Sequence, residues 1–332
     1  MADKVKGTSR ELVHTPAELA AEFVAWAEDR RYQEGVPWGI PVVDAKVIPF
    51  HPGDMVILCG RPGHGKSSLL AYLARAEAKR IQQRGTDEVV VYVTFEQVVE
   101  ELEAVFQCGG SYTASDLAWG RARIEDVRAA ARDRASLPVF VIGDSLSRTD
   151  SRSPRMYPEV VFDAIESLKV DFGVIPSLVC VDYIQLVPIP RQADRQKQVM
   201  EAAHQVKELA KRIGCPAVVA VQARRDVDGQ QIKIPGLSSG QWSSDIEQAC
   251  DKFFGLWRPW LTEPHFDEKG RQAAVTLDGL DYPVTQELLV MQMLKQRFEN
   301  GRWTWALRFQ PQYLKLCALE TDIEEPLELE FS

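Results

Sequence analysis

The chain has 332 residues, and 45% of them are hydrophobic, which is enough for a sizeable core and argues against wholesale disorder. Its formal net charge of −9 excludes a uniformly basic surface, although a local groove can still be positive. There is no long apolar stretch and no apolar signal segment at the start, so we expect a cytoplasmic protein with no membrane partner. The six cysteines are scattered without a C-x-x-C pair, which indicates reduced thiols and no zinc site.

A polar N-terminal arm precedes the first predicted helix. Thr15 fits a helix N-cap, with Pro16 at the first helical position and Glu18 at the third. The residues that follow predict a short amphipathic helix, and Pro37 ends it. Docking of this helix on a neighbouring subunit and packing on its own domain remain open alternatives. Five short β-branched runs then predict buried parallel strands, at residues 55–59, 89–95, 139–142, 178–182 and 217–222.

Helical stretches separate these runs, notably residues 67–84 and about 192–213. Alternation of strands and helices predicts an α/β fold with a doubly wound, mainly parallel sheet. Two late apolar runs, 286–294 and 302–309, predict a C-terminal β-hairpin extension of that sheet. We therefore expect three regions: an arm and linker helix (1–37), a P-loop ATPase domain (38–318) and an acidic tail (319–332).

The stretch "GRPGHGKS", Gly60 to Ser67, matches the pattern G-x-x-x-x-G-K-[ST] between a predicted strand and a predicted helix. Backbone N–H groups of such a loop surround a phosphate at a helix N-terminus. Lys66 would neutralise β/γ-phosphate oxygens, and the Ser67 hydroxyl would bind Mg²⁺. ATP and Mg²⁺ are thus the expected cofactors. The predicted nucleotide-binding residues are Gly60, Arg61, Pro62, Gly63, His64, Gly65, Lys66, Ser67 and Ser68.

Polar residues end three other predicted strands, at the sheet edge where open α/β sheets bind ligands. Asp182 would hold the magnesium ion through its water shell. Glu96 could polarise the attacking water, and Gln222 could sense the γ-phosphate. For Glu96 a chance acid beyond a strand is the alternative, and for Gln222 it is capping of the next turn.

These motifs, in this order, resemble the RecA-like motor domain of the DnaB-type replicative helicases. The resemblance runs from about Trp38 to residue 316, and "DYIQL", Asp182 to Leu186, is its most specific piece. It implies a hexameric ring with nucleotide at each subunit interface. It also implies that Lys295 and Arg297, in "KQR" after a strand, act as a finger pair in the neighbouring site. Without the resemblance, the sequence favours the interpretation that both residues are solvated charges at the end of a hairpin.

The resemblance further implies two loops that face single-stranded DNA in the ring channel. Residues 187–233 contain nine Lys or Arg and five acids, a local charge of +4. Each basic residue alone could equally be a surface charge. The candidate DNA-binding residues are Arg191, Arg195, Lys197, Arg224, Arg225, Gln241 and Trp242.

The chain also departs from the family pattern. Gln241 stands where the family has an arginine and Trp242 where it has an acid, and only about 37 residues precede the core in place of a collar domain. Residues 259–290 look longer than the matching connection, and the tail from Ala318 has six acids and no base. We expect a ring motor that translocates on single-stranded DNA.

The alternative is an ATP-gated assembly or switch that recruits protein partners through residues 259–290 or the tail. A RecA-like recombinase would share the fold but not "DYIQL" or "KQR".

Overall fold

The computed structural model describes residues 13–32, 34–107, 110–147, 155–189, 194–223, 233–235, 243–299 and 301–319. The chain forms two compact units, residues 1–35 and residues 36–332. None of the helices in these described ranges is long and apolar enough to cross a membrane. The acidic tail beyond residue 319 lies outside the described residues, and the predicted domain boundaries stay a prediction.

The first unit contains one helix, α1 (Pro16–Tyr32), as the capping pattern predicts. The backbone N–H of Thr15 donates to Glu18 Oε2 at 2.6 Å, and the N–H of Glu18 donates to Thr15 Oγ1 at 3.3 Å. These reciprocal bonds satisfy two of the N–H groups that a helix start leaves unpaired. The side chains of Phe23 and Trp26 are stacked, with ring centroids 5.8 Å apart, and both are exposed.

The second unit contains the other helices and all strands of the described residues. Its helices are α2 (Pro41–Asp44), α3 (Lys66–Arg84), α4 (Val99–Gln107), α5 (Ala114–Ala118), α6 (Ile124–Ala135), α7 (Pro158–Asp171), α8 (Arg195–Ile213) and α9 (Ser243–Ala249). Its strands are β1 (Met55–Gly60), β2 (Glu88–Thr94), β3 (Val139–Ile142), β4 (Ile175–Asp182), β5 (Ala217–Gln222), β6 (Lys252–Trp257), β7 (Ala274–Leu277), β8 (Leu280–Pro283), β9 (Leu288–Gln296), β10 (Trp303–Gln310) and β11 (Lys315–Ala318).

Nine of these strands form one sheet in the order β11-β10-β9-β6-β1-β5-β4-β2-β3. From β6 to β3 all pairs are parallel, whereas β9, β10 and β11 join in antiparallel pairs. The predicted fold class, a mainly parallel doubly wound sheet with a C-terminal hairpin extension, is confirmed. All five predicted strands are present, with their ends shifted by at most a few residues.

The core lies on both faces of this sheet, and β1 contributes to each. Val56 and Leu58 pack in the cluster that contains Leu69 and Leu70 of α3. Met55, Ile57 and Cys59 alternate with them and belong to the opposite cluster. That second cluster also contains the apolar faces of α7 and α8. Both faces of the strand are therefore buried, as is usual for parallel sheets covered by helices.

One central strand, β6, is missing from the sequence-based interpretation. Its sequence, "KFFGLW", has no β-branched residue and carries a glycine in the middle, which weakens the strand signal. In the structure Gly255 is required by close packing, because a Cβ there would lie 2.4 Å from Ile234 Cγ2 and 2.9 Å from the Pro235 carbonyl oxygen. The glycine therefore belongs to the strand.

The segment 259–290, predicted to be an insertion, contains a short 3-10 turn at 259–261 and the hairpin of β7 and β8. Leu277 of this hairpin packs with Trp257, Leu288 and Val290 in a small third cluster. The hairpin therefore rests on the strands that flank it in sequence. Its role as a surface for a protein partner stays a prediction.

The close contact at Gly255 leads to the first prediction. Gly255→Ala should lower the free energy of unfolding by about 1–3 kcal/mol, because the new methyl group meets a backbone oxygen and a buried side chain. Urea denaturation measures the loss. Gly110→Ala is the matched control, because a Cβ at Gly110 meets no atom within 4 Å. Equal stability of the two variants would contradict the packing argument.

Candidate functional site

The loop between β1 and α3 has a backbone shape that its glycines make possible. Gly63 and Gly65 have φ of 79° and 88°, in the left-handed region that favours glycine. Gly65 is the N-cap of α3, and a Cβ there would lie 2.7 Å from Phe309 Cε1. No side chain caps α3 and its first turn holds no acid, so its N–H groups remain available to an anion.

Lys66 lies over this loop. Its Nζ donates to the carbonyl oxygens of Gly60 and Arg61, each at 3.0 Å. Burial lowers the pKa of the Lys66 ammonium from its ordinary value. The ammonium is thereby held at the mouth of the loop, where a phosphate would replace part of its lost hydration.

A cleft of about 390 Å³ brings most of the predicted site together. The predicted residues that form its walls are Pro62, Gly63, Gly65, Lys66, Ser67, Ser68, Glu96, Asp182 and Gln222. Gly60, Arg61 and His64 do not face it. Arg61 Nη1 instead donates to the carbonyl oxygen of Ala223 at 3.3 Å. The volume is within the usual range for small-molecule sites.

Asp182 and Ser67 fit a hydrated Mg²⁺. The Tyr92 hydroxyl donates to Asp182 Oδ2 at 3.0 Å, whereas Asp182 Oδ1 is buried without a hydrogen-bond partner. Burial raises the pKa of the Asp182 carboxyl, and hydrogen bonds from the Ser67 and Tyr92 hydroxyls and the charge of Lys66 oppose that rise. A buried, unsatisfied carboxylate oxygen is costly unless a donor or a cation satisfies it.

Glu96 and Gln222 reach the same edge because their strands end there. Thr94 pairs with Asp182 and Gly60 pairs with Gln222, so the four strand ends lie side by side. Burial and the nearby charge of Asp182 raise the pKa of the Glu96 carboxyl. An exposed carboxyl with raised pKa that lines the same cleft as Ser67 and Asp182 is suited to polarising a water molecule.

The sequence analysis did not identify three residues that contribute to this site. The Gln185 side chain donates to the Gln222 carbonyl oxygen at 3.1 Å and accepts from its N–H at 3.3 Å, which fixes the end of β5. Tyr92 orients Asp182, as described above. Arg258 follows β6 and faces the cleft. Its Nη2 donates to the Gln286 carbonyl oxygen at 2.6 Å, whereas its Nε is buried without a hydrogen-bond partner. Arg258 thus adds a second cation to the cleft.

His64 ties the loop to β6. Its Nδ1 accepts from the Arg258 N–H at 3.3 Å, and the ring also bonds the backbone of Leu256. The side chain is buried, and burial lowers the pKa of the imidazole to about 4. His64 is therefore a neutral structural contact between the loop and the strand that carries Arg258.

Lys295 and Arg297 lie at the opposite edge of the sheet from Lys66. Lys295 pairs with Phe253 near the start of β6, and Phe253 in turn pairs with Ile57 of β1. Four residues of strand, roughly 13 Å, separate Ile57 from Arg61, the first residue of the loop after Gly60. Neither side chain can span that distance, so both are out of reach of the chain's own cleft.

Most candidate DNA-binding residues, namely Arg191, Arg224, Arg225, Gln241 and Trp242, lie outside the described residues. Arg195 begins α8, and its side chain is likewise outside them. Lys197 is exposed in the first turn of α8. Their role in binding DNA stays a prediction.

His64 leads to a prediction on pH dependence. Its pKa is about 4 in the fold and about 6.5 in the unfolded chain, so the unfolded chain binds more protons between those values. Lowering the pH from 7 to 5 should therefore destabilise the wild type by about 2 kcal/mol more than His64→Asn. Urea unfolding of both chains at the two pH values, at one protein concentration, measures this difference. An equal loss in both would contradict the buried neutral imidazole.

The greater part of the chain is similar to known proteins. Residues 35–316 match the family described as "DnaB-like helicase C terminal domain". The chain is 24% identical over 295 residues to the replicative DNA helicase DnaC of Bacillus subtilis (strain 168), covering 88% of this chain and 58% of that protein. It is 26% identical over 278 residues to the replicative DNA helicase DnaB of Leifsonia xyli subsp. xyli (strain CTCB07), covering 80% and 56%. The chain thus spans less than two thirds of these curated relatives.

Solved structures agree at the level of the fold. One that is described as an ATPase domain has a TM-score of 0.72 at 18% identity, covering 92% of this chain and 100% of that one. A DnaB-like replicative helicase, described with its interactions with primase, has a TM-score of 0.70 at 18% identity, covering 93% and 68%. The predicted resemblance is confirmed, and the chain belongs to the DnaB-like helicase C-terminal domain family.

Proposed function

We propose that this chain hydrolyses ATP with Mg²⁺, assembles into a hexameric ring and translocates on single-stranded DNA. The observation that carries the proposal is the cleft in which Lys66, Ser67, Asp182, Glu96 and Gln222 meet. Phosphoryl transfer to water requires groups of this kind: a phosphate-binding loop, two oxygen ligands for a cation, a carboxylate and an amide. Membership in a helicase family supports the use of this chemistry for movement on DNA.

Each residue has one task in this proposal. The α3 N-terminus and Lys66 would hold the β- and γ-phosphates. Ser67 would hold the magnesium ion through its hydroxyl, and Asp182 would hold it through water. When bound, the magnesium ion neutralises charge on the β- and γ-phosphate oxygens. Glu96 accepts a proton from the attacking water, and Gln222 contacts the γ-phosphate. Gln185 and Tyr92 keep Gln222 and Asp182 in position.

A second copy of the chain would complete the site. Lys295 lies roughly 13 Å of strand away from the loop of its own chain, and Arg297 lies further along, so any phosphate they contact belongs to another copy. A cation supplied from a neighbour can raise the rate of phosphoryl transfer by roughly 10³–10⁵. We infer that the ring places this finger pair at the adjacent nucleotide.

DNA binding is proposed for residues 188–197 and 224–244; residues 187–233, which include the first segment and part of the second, carry the local charge of +4. Basic groups there would contact phosphates of the strand, and Trp242 could add stacking on a base. The alternative, an ATP-gated switch that does not move on DNA, is not favoured by the helicase relatives. The switch predicts a rate of ATP turnover that single-stranded DNA does not change.

Steady-state ATPase assays with and without single-stranded DNA, at low and moderate salt, test the motor. We expect DNA to stimulate turnover and the stimulation to weaken as salt rises, because released counterions drive phosphate contacts. Lys66→Ala provides the background, since loss of the ammonium should abolish nucleotide binding. DNA-indifferent turnover would favour the switch and refute translocation.

The carboxylate assignment has its own test. Glu96→Gln should bind ATP as the wild type does but turn it over about 10²–10⁴-fold more slowly, because the amide cannot accept the proton. ATP binding by equilibrium titration and turnover under saturating ATP separate the two effects. Glu100→Gln is the control, since Glu100 bonds Ser145 and Ser147 outside the cleft. A wild-type rate for Glu96→Gln would place the base elsewhere.

A further inference from the structure

The proposed finger pair is anchored by its own chain. Lys295 Nζ donates to the carbonyl oxygens of Glu247 and Cys250, the latter at 2.7 Å, at the C-terminal end of α9. Carbonyls at a helix end lack intrahelical partners and carry partial negative charge, which favours a cation. Gln296 fixes the strand between the two cations, because its Oε1 accepts from the Ile48 N–H at 2.9 Å.

Arg297 is held by Asp251, which lies between α9 and β6. The Arg297 guanidinium donates through Nη1 to Asp251 Oδ1 at 3.1 Å, and the Arg297 N–H donates to the Asp251 carbonyl oxygen at 2.9 Å. The Asp251 side chain is 4% exposed, whereas that of Arg297 is 61% exposed. One side of the guanidinium is thus fixed from inside the protein while the remainder faces outward.

The other oxygen of the same carboxylate is fixed by two further elements. Asp251 Oδ2 accepts from the Met55 N–H of β1 at 2.8 Å and from Lys207 Nζ of α8. Lys207 Nζ also donates to the Gly53 carbonyl oxygen at 2.6 Å. The Asp251 carboxylate cannot turn away from Arg297 without breaking these hydrogen bonds. Breaking them would leave a buried charge without compensation.

An ion pair with a largely exposed arginine adds little to stability, so the effect of this contact is on direction. We propose that Asp251 is the positioning residue that aims the Arg297 guanidinium at the nucleotide of the neighbouring copy. This inference rests on the proposed role of Arg297 as a finger in a second subunit.

Asp251 also connects the finger to both helices that follow the predicted DNA segments. Lys207 belongs to α8, which begins at Arg195, and Asp251 follows α9, which begins at Ser243. Lys295 bonds the end of the same α9. A shift of either helix therefore changes where the finger pair points.

The test uses three substitutions in the full chain, with ATP turnover measured in the presence of single-stranded DNA. Arg297→Ala should reduce turnover by roughly 10³-fold or more. Asp251→Asn should reduce it on the order of 10²-fold, the cost of a misplaced group, with unchanged affinity for ATP. Asp54→Asn is the matched control, because Asp54 pairs with Lys252 at 2.6 Å on the same sheet edge without contacting the finger; its turnover should match the wild type.

Two combinations separate positioning from damage to the fold. Asp251→Asn/Arg297→Ala should be no slower than Arg297→Ala alone, because the first change acts only through the second residue. Asp251→Asn subunits mixed with Lys66→Ala subunits should regain turnover severalfold, since the latter supply intact fingers. These results remain interpretable even if Asp251→Asn lowers the stability of the fold. A folding defect would reduce turnover further in the double variant than in Arg297→Ala, whereas a loss of positioning would not.

The outcomes distinguish this inference from the function on which it rests. Wild-type turnover by Arg297→Ala would refute the finger itself and the inference with it. A reduced rate for Arg297→Ala, together with wild-type turnover by Asp251→Asn, would refute only the role of Asp251. A double variant slower than Arg297→Ala, or no gain on mixing, would also overturn it, because Asp251 would then act within its own subunit.

Discussion

Strand β1 is the element on which the rest of the arrangement depends. All six of its residues are buried, and it is hydrogen-bonded to β5 on one side and β6 on the other. Its carboxyl end leads into the glycine-rich loop before α3, and at its amino end the Met55 N–H donates to Asp251. A strand held on both edges and both faces keeps the distance between those ends nearly constant.

The fold was largely predictable because the information is local. Short β-branched runs between helical stretches are typical of parallel strands covered on both faces, and all five such runs form strands. Where local signals conflict with packing, prediction failed: β6 has aromatic residues and Gly255, whose need for space comes from Ile234 and Pro235, far away in the unfolded chain. Strands β7 and β8 have only four residues each and form a separate hairpin, and so short a run gives no comparable periodicity.

The site divides in the same way. The loop residues were found because glycines, lysine and serine must follow one another at fixed spacing, whereas Asp182 and Glu96 were found because each ends a recognisable strand. Tyr92 escaped notice because its partner Asp182 is 90 residues away. Arg258 escaped because it ends the one central strand that the sequence did not reveal. Long-range hydrogen bonds have no signature in a single sequence.

The contacts at the two ends of β1 bear on how the proposed ring could couple its subunits. In the proposed ring, each subunit would bind phosphate at the carboxyl end of β1 and would offer Arg297, beside Asp251, at the other end. Since the strand is fully paired, binding at the loop can reach the finger only by moving the sheet as a body or by rearranging the side chains at its ends. Lys207 and Asp251 are such side chains, and they are bonded to each other, Asp251 buried and Lys207 partly buried. Coupling between neighbouring sites is therefore expected to depend on how the sheets turn relative to one another, with Asp251 setting where each finger points.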